Sequence, residues 1–245
     1  LDRPRPWFLD PFREVVDPNN VRQGNPLLMP EYTNSMELNV QKRFGQHFVS
    51  FETYYRETNN KVEGYIKVDP QNPEIFISTF ENLGKSIAGG GELMANLNLA
   101  KWWNFNLSGS VYYYEIVDLN NTVSWNTRLN NTFRITKHGT SVQLSGFYNG
   151  PSITAQGRRE AMWMANAAIR QDFFDRKLSI SFNVRDIFGT MGWEMISETP
   201  QFYSHITRSR KSPSFGISIT YRINDFQSRR ERGLENGFDR DDGEM

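Results

Sequence analysis

Val123-Ser124-Trp125-Asn126-Thr127-Arg128-Leu129-Asn130-Asn131-Thr132-Phe133-Arg134-Ile135 alternates between two kinds of side chain, one for one. Val123, Trp125, Thr127, Leu129, Phe133 and Ile135 share one parity, with Asn131 the exception, and Ser124, Asn126, Arg128, Asn130, Thr132 and Arg134 hold the other. A period of two sets successive side chains on opposite faces of an extended strand. Thirteen residues is far beyond the ~5–6 of a globular strand and meets the about 9–11 that a tilted membrane strand needs.

The same alternation recurs on both sides of this stretch. Phe105, Leu107 and Val111 alternate with Asn104, Asn106, Ser108 and Ser110, and Ile180, Phe182 and Val184 with Ser179, Ser181, Asn183 and Arg185. Phe215, Ile217, Ile219 and Tyr221 are set against Ser214, Gly216, Ser218, Thr220 and Arg222. Less sharp versions run through 33–43, 47–58, 85–100, 140–149 and 161–174, giving nine full strands. Short turns at Phe44-Gly45-Gln46, Lys101-Trp102, His138-Gly139 and Asp175-Arg176 alternate with long polar stretches near 59–84, 117–122, 150–160 and 189–212. Short turns on one side and long loops on the other are the periplasmic and extracellular ends of an outer-membrane barrel. The expected fold is therefore all-β: an antiparallel meander of about nine to ten long strands, a segment of a transmembrane β-barrel. Residues 1–32 are expected to hold a strand end and an extracellular loop, 33–223 the barrel segment, and 224–245 a charged, disordered tail.

Composition fits this reading. The 245 residues hold no run of ~18 apolar residues, which excludes membrane helices. A mean hydropathy of -0.63 does not count against a barrel, because only alternate residues meet lipid. Aromatics reach 14%, and barrels concentrate them at the two membrane interfaces. Lys and Arg balance Asp and Glu at 28 each, so nothing points to nucleic acid. Cysteine is absent, which removes disulfides and zinc-thiolate sites.

Signatures of chemistry are missing. His47, His138 and His205 have no second ligand at metal spacing. Gly89-Gly90-Gly91 lacks a following Lys-Ser/Thr and reads as a bulge or tight bend. There is no Gly-x-Ser-x-Gly elbow, and neither an enzyme nor a cofactor is expected.

Several short stretches carry a family resemblance. They are Arg3-Pro4 with Leu9-Asp10-Pro11-Phe12, Gly24-Asn25-Pro26-Leu27, Pro30-Glu31-Tyr32-Thr33, Glu81-Asn82-Leu83-Gly84-Lys85-Ser86 and Lys101-Trp102-Trp103. Gly150-Pro151-Ser152, Thr154-Ala155-Gln156-Gly157, Asp186-Ile187-Phe188 and Phe215 to Arg222 complete the set. In this order and spacing the chain resembles the C-terminal barrel part of TonB-dependent outer-membrane receptors, in the form common among Bacteroidetes. The resemblance implies a 22-stranded parent barrel with an N-terminal plug, coupling to the TonB complex, and energised uptake of a nutrient such as an iron chelate or an oligosaccharide. Outer-membrane lipid, the remaining strands and the plug would be the partners. On this reading the chain is incomplete as a transporter and forms an open, strongly curved sheet. A passive pore or self-contained small barrel is one rival, and a soluble β-sheet binding or adhesion module another.

Alternation also assigns faces. Leu107, Val111, Leu129, Phe133, Ile180, Phe182, Ile217 and Ile219 are expected to meet lipid. Glu92, Arg128, Arg134, Arg170, Asp172, Arg185 and Arg222 are expected on the lumen face. There they would form a hydrated surface of cross-strand pairs, or in a receptor contact the plug or line the substrate path.

Overall fold

A computed structural model describes residues 1–135 and 139–223; His138 and the charged stretch 224–245 lie outside the described residues. A 3-10 turn at Pro6–Phe8 precedes β1 (Glu14–Asp17) and β2 (Asn20–Arg22). Then come β3 (Tyr32–Phe44), β4 (His47–Asn59), β5 (Val62–Asp69), β6 (Asn72–Asn82), β7 (Lys85–Ala100), β8 (Trp103–Ile116), β9 (Asn120–Ile135) and β10 (Thr140–Asn149). The chain continues through β11 (Ser152–Thr154), β12 (Gly157–Arg159), β13 (Met162–Phe173), β14 (Leu178–Arg185), β15 (Gly192–Glu198), β16 (Tyr203–Ser209) and β17 (Ser214–Tyr221).

Nine of these strands form one antiparallel wall, in the order β17-β14-β13-β10-β9-β8-β7-β4-β3. Once the inserted hairpins are set aside, every wall strand pairs with its neighbour in the chain, as the alternation predicts. The tight connections Gly45-Gln46, Lys101-Trp102 and 174–177 fall at one end. At the other end the long stretches are folded into hairpins. The β5–β6 hairpin joins β1 and β2 in a four-stranded sheet, with β2 parallel to β6, and β11, β12, β15 and β16 form a second. Among the described residues β3 and β17 each pair on one side only, so the wall does not close on itself.

Two expectations need correction. The stretch 117–122 is not a long loop: Asn120, Asn121 and Thr122 pair with Ile116, Glu115 and Tyr114, leaving 117–119 as a tight turn. Asn-rich sequence resembles a loop, yet here it extends the ladder. Nor do Gly89 to Gly91 form a bulge, since β7 keeps regular register with β4 and β8 through them. A Cβ at Gly90 would lie 2.7 Å from the Val111 carbonyl oxygen and 2.8 Å from the Tyr112 Cβ. The glycine serves close approach rather than a bend.

Directly opposed residues share a face, so the register extends one face across all nine strands. One face carries Met36, Leu38, Phe51, Leu93, Leu107, Leu129, Leu144, Ile169, Phe182 and Ile217. Its charged residues, Lys42, Glu57, Lys85 and Glu115, all lie within two residues of a strand end. Tyr55, Tyr113, Trp125, Tyr148, Trp163 and Phe215 sit toward the hairpin ends of their strands, and Phe44, Trp103, Phe133, Phe173 and Tyr221 toward the opposite ends. Trp125 and Phe133 are eight residues apart on β9, about 26 Å along the strand. At a strand tilt of about 35–45° this rises roughly 20 Å along the membrane normal, within the ~25 Å apolar band of a membrane barrel, and aromatic residues lie toward both ends as girdles do. Val111 is 60% exposed and Ile217 72%, an apolar surface that water would not tolerate at this extent.

Asn131, the break in the alternation, is explained by its neighbour. The Trp103 Nε1–H donates to its Oδ1 at 3.0 Å, and Trp103 stacks on Phe133 at 5.7 Å. Trp103→Phe should strand the Asn131 amide on the apolar face at a cost of about 1–3 kcal/mol. Adding Asn131→Leu should recover most of that loss, a coupling measurable by a double-mutant cycle in detergent-refolded protein.

The polar face and the hairpin mouth

The register sets six of the expected lumen residues, Glu92, Arg128, Arg134, Arg170, Asp172 and Arg185, on the face opposite the apolar band and the eight expected lipid residues on the band itself, while Arg222 lies just past the end of β17. It does not gather the seven into one site. Glu92 and Arg128 line a shallow hollow of about 290 Å³ with Asn39, Glu52, Asn126 and Phe147. Glu52 lies directly opposite Glu92 and accepts a hydrogen bond from the Asn39 Nδ2 at 2.9 Å. Like charges at opposed positions repel, so this hollow favours cationic or donor-rich groups on its β4–β7 side and anionic ones near Arg128. Arg170 and Asp172 neutralise each other: the guanidinium donates to the carboxylate at 2.8 Å and to the Ser179 hydroxyl at 2.9 Å. Arg134, Arg185 and Arg222 are exposed at strand ends and, among the described residues, form no ion pair. The rest of the face is mostly Asn, Ser and Thr. Asn106 donates to Asn104 at 2.6 Å, and Asn104 to Asn98 at 2.9 Å and Asn96 at 3.2 Å.

At the hairpin end the polar face is covered. Ile116 and Ser124 are fully buried, and Ser86 is buried beside them. The cover is pinned by polar contacts. The Asn82 amide donates to the Met29 carbonyl at 3.0 Å and the Asn60 carbonyl at 2.8 Å, and the Glu31 carboxylate takes the Val62 amide at 2.6 Å and the Lys61 ammonium at 3.1 Å. Arg13 reaches the buried Asp69 carboxylate at 2.7 Å. The Gln71 amide and that guanidinium hold Asp69 below the usual carboxylate range. Tyr114, from the polar face of β8, donates to Glu63 of β5 at 3.4 Å. Burial pushes the Glu63 carboxyl up, against the pull of Lys61.

The two hairpin sheets meet across this mouth. Phe76 packs edge-on against Phe202 at 5.6 Å, and Gln156 reaches Ile66. Arg159 and Arg208 both lie over the Trp193 ring at 5.8 Å. Sequence reasoning missed Gln156, Glu63, Arg159 and Trp193, because their partners are far off in sequence and no periodicity marks them. His47 accepts the Asn98 amide at 3.2 Å and His205 contacts Glu194 at 2.7 Å; among the described residues no cluster of three metal-ligating side chains occurs.

Residues 1–221 match a family model described as outer membrane protein beta-barrel family. No curated protein matches the chain. Among solved structures, the siderophore receptor PirA from Pseudomonas aeruginosa is similar with a TM-score of 0.57 and 15% identity, over 77% of this chain and 34% of that one. A variant of the ferric enterobactin receptor PfeA from Pseudomonas aeruginosa, in complex with enterobactin, is similar with a TM-score of 0.50 and 15% identity, over 70% of this chain and 28% of that one. At such identity the likeness is one of fold, and the chain spans about a third of the length of these receptors.

Proposed function

Since this chain belongs to the outer membrane protein beta-barrel family and lies in the cell outer membrane, we propose that it forms part of the barrel wall of a TonB-dependent receptor for energised nutrient uptake. The observation that carries the reading is the two-faced wall: a girdled apolar band on one side, and on the other a polar face roofed at its mouth by two ordered hairpin sheets. A passive pore has no need of a roof pinned by specific ion pairs and hydrogen bonds. The open edges at β3 and β17 support a larger barrel, because unpaired backbone groups in hydrocarbon cost several kcal/mol each. Further strands and a plug from a longer chain would complete the structure.

An iron chelate is favoured over an oligosaccharide as cargo by the fold likeness to receptors for siderophores. The test is uptake of radiolabelled ferric enterobactin and of labelled oligosaccharides by cells with and without the full-length protein. Uptake of the iron chelate should depend on the protein and stop when the proton-motive force is collapsed. Uptake that survives collapse would identify a passive pore, and selective loss of oligosaccharide uptake would reverse the substrate assignment.

A further inference from the structure

Gln156 stands at the tip of the β11–β12 hairpin, in the two-residue turn between the paired Thr154 and Gly157. Its position is fixed from behind: a Cβ at Gly157 would collide with the Ile196 carbonyl oxygen, so β12 lies hard against β15. From there the side chain crosses to the free edge of β5. The Ile66 amide donates to Gln156 Oε1 at 2.7 Å, and Gln156 Nε2 donates to the Ile66 carbonyl at 2.8 Å. A primary amide thus imitates one rung of a β-ladder and caps an edge strand. Among the described residues no other hydrogen bond joins the two hairpin sheets.

The bridge also divides space. Gln156 and Tyr65 line both a hollow of about 340 Å³, walled by Trp7, Glu63, Phe80 and Ser197, and one of about 760 Å³, walled by Leu119, Asn120, Pro200 and Tyr203. The hairpins that meet here leave the wall on either side of β8 and β9, whose own connection is the tight 117–119 turn. The bridge therefore spans the gap above that turn.

We propose that Gln156 is a reversible latch that separates the two hollows, and that releasing it from Ile66 joins them into one passage over the polar face. Two hydrogen bonds from one flexible side chain can open without disturbing the ladders within either sheet, whereas a backbone pairing could not. The proposal rests on reading the hairpins as the receptor's outer mouth.

The test uses the full-length protein in the outer membrane of intact cells. The 245 residues contain no cysteine, and labelling by a membrane-impermeant maleimide of Ser197→Cys, at a position 3% exposed in the smaller hollow, is read as the excess over the same full-length protein without that substitution. Gln156→Ala should raise the labelling rate about tenfold or more. Gln156→Glu, which can still accept from the Ile66 amide but cannot donate to its carbonyl, should fall between. Amide exchange on the purified protein should show Ile66 losing protection in Gln156→Ala while the β5–β6 and β12–β15 ladders keep theirs. An unchanged labelling rate would overturn the latch. So would loss of ladder protection, which would make Gln156 a structural brace. Neither measurement needs a ligand or energised transport, so failure here is separable from failure of the uptake reading.

Discussion

Leu129→Arg should prevent the protein from folding stably into lipid, while Arg128→Leu, one residue away, should be close to silent. Leu129 lies midway between Trp125 and Phe133 on the apolar face, opposed by Leu107 on β8 and Gly146 on β10. A guanidinium placed there is about four residues from either girdle, too deep to snorkel easily, and costs roughly 2–4 kcal/mol at the midplane. Arg128 faces the other way, opposite Ser108 and Phe147, in an open hollow. Among the described residues it forms no ion pair, so losing its charge should change stability by about 1 kcal/mol or less. Folding yield into detergent or liposomes, read by heat-resistant migration on gels, separates the two. Equal damage would mean that the faces are misassigned.

Asp186→Ala should unseat the β15–β16 hairpin from the wall. Asp186 follows β14 at φ 53° and is 2% exposed. Its carboxylate takes the Thr190 amide at 2.9 Å, the Met191 amide at 3.0 Å and the Thr190 hydroxyl at 3.3 Å. Removing a charged acceptor from several donors should cost about 3 kcal/mol or more in that hairpin. Asp186→Asn should lose much of the same, since its Nδ2 would face a donor. Burial opposes ionisation of Asp186, but the donors from Ser212, Met191 and Thr190 outweigh it and hold its pKa below the usual value. A depressed folded pKa contributes stability above the unfolded value and loses it as the pH falls through the folded one. The hairpin should therefore loosen in acid, below about pH 4. Amide exchange at Thr190 and Met191 across pH reads both effects; protection that survives Asp186→Ala would refute the account.

The wall was legible in the sequence because two different solvents press on it. An apolar face and a polar face force a period of two that no loop imitates, which is why the sequence alone sets Leu129 and Arg128 on opposite faces, as the register has them. The roof was much less legible. Its strands are short, the polar side chains that pin it pair across long separations, and the decisive contacts end on backbone atoms. Gln156 meets Ile66 ninety residues away through a peptide group that every residue possesses. Asn131 was visible as an anomaly, but only the register shows that Trp103 is there to satisfy it. The misreading of 117–122 has the same origin: Asn120 to Thr122 carry turn-forming side chains, and their place in the ladder is decided by Glu115 and Tyr114 on the facing strand.

The strict succession of wall strands bears on how the structure comes into being. Each new strand needs only the one made just before it, so the sheet can grow by stepwise addition, without a search for remote partners. Loop-closure entropy stays low for the tight connections and rises at the three long insertions, which must form their own hairpins before the next strand can dock. The slow steps of biogenesis should thus fall at 59–84, 150–160 and 189–212. The growing sheet would meanwhile carry a sticky leading edge, and a holding factor that masks that edge until insertion would guard it against aggregation.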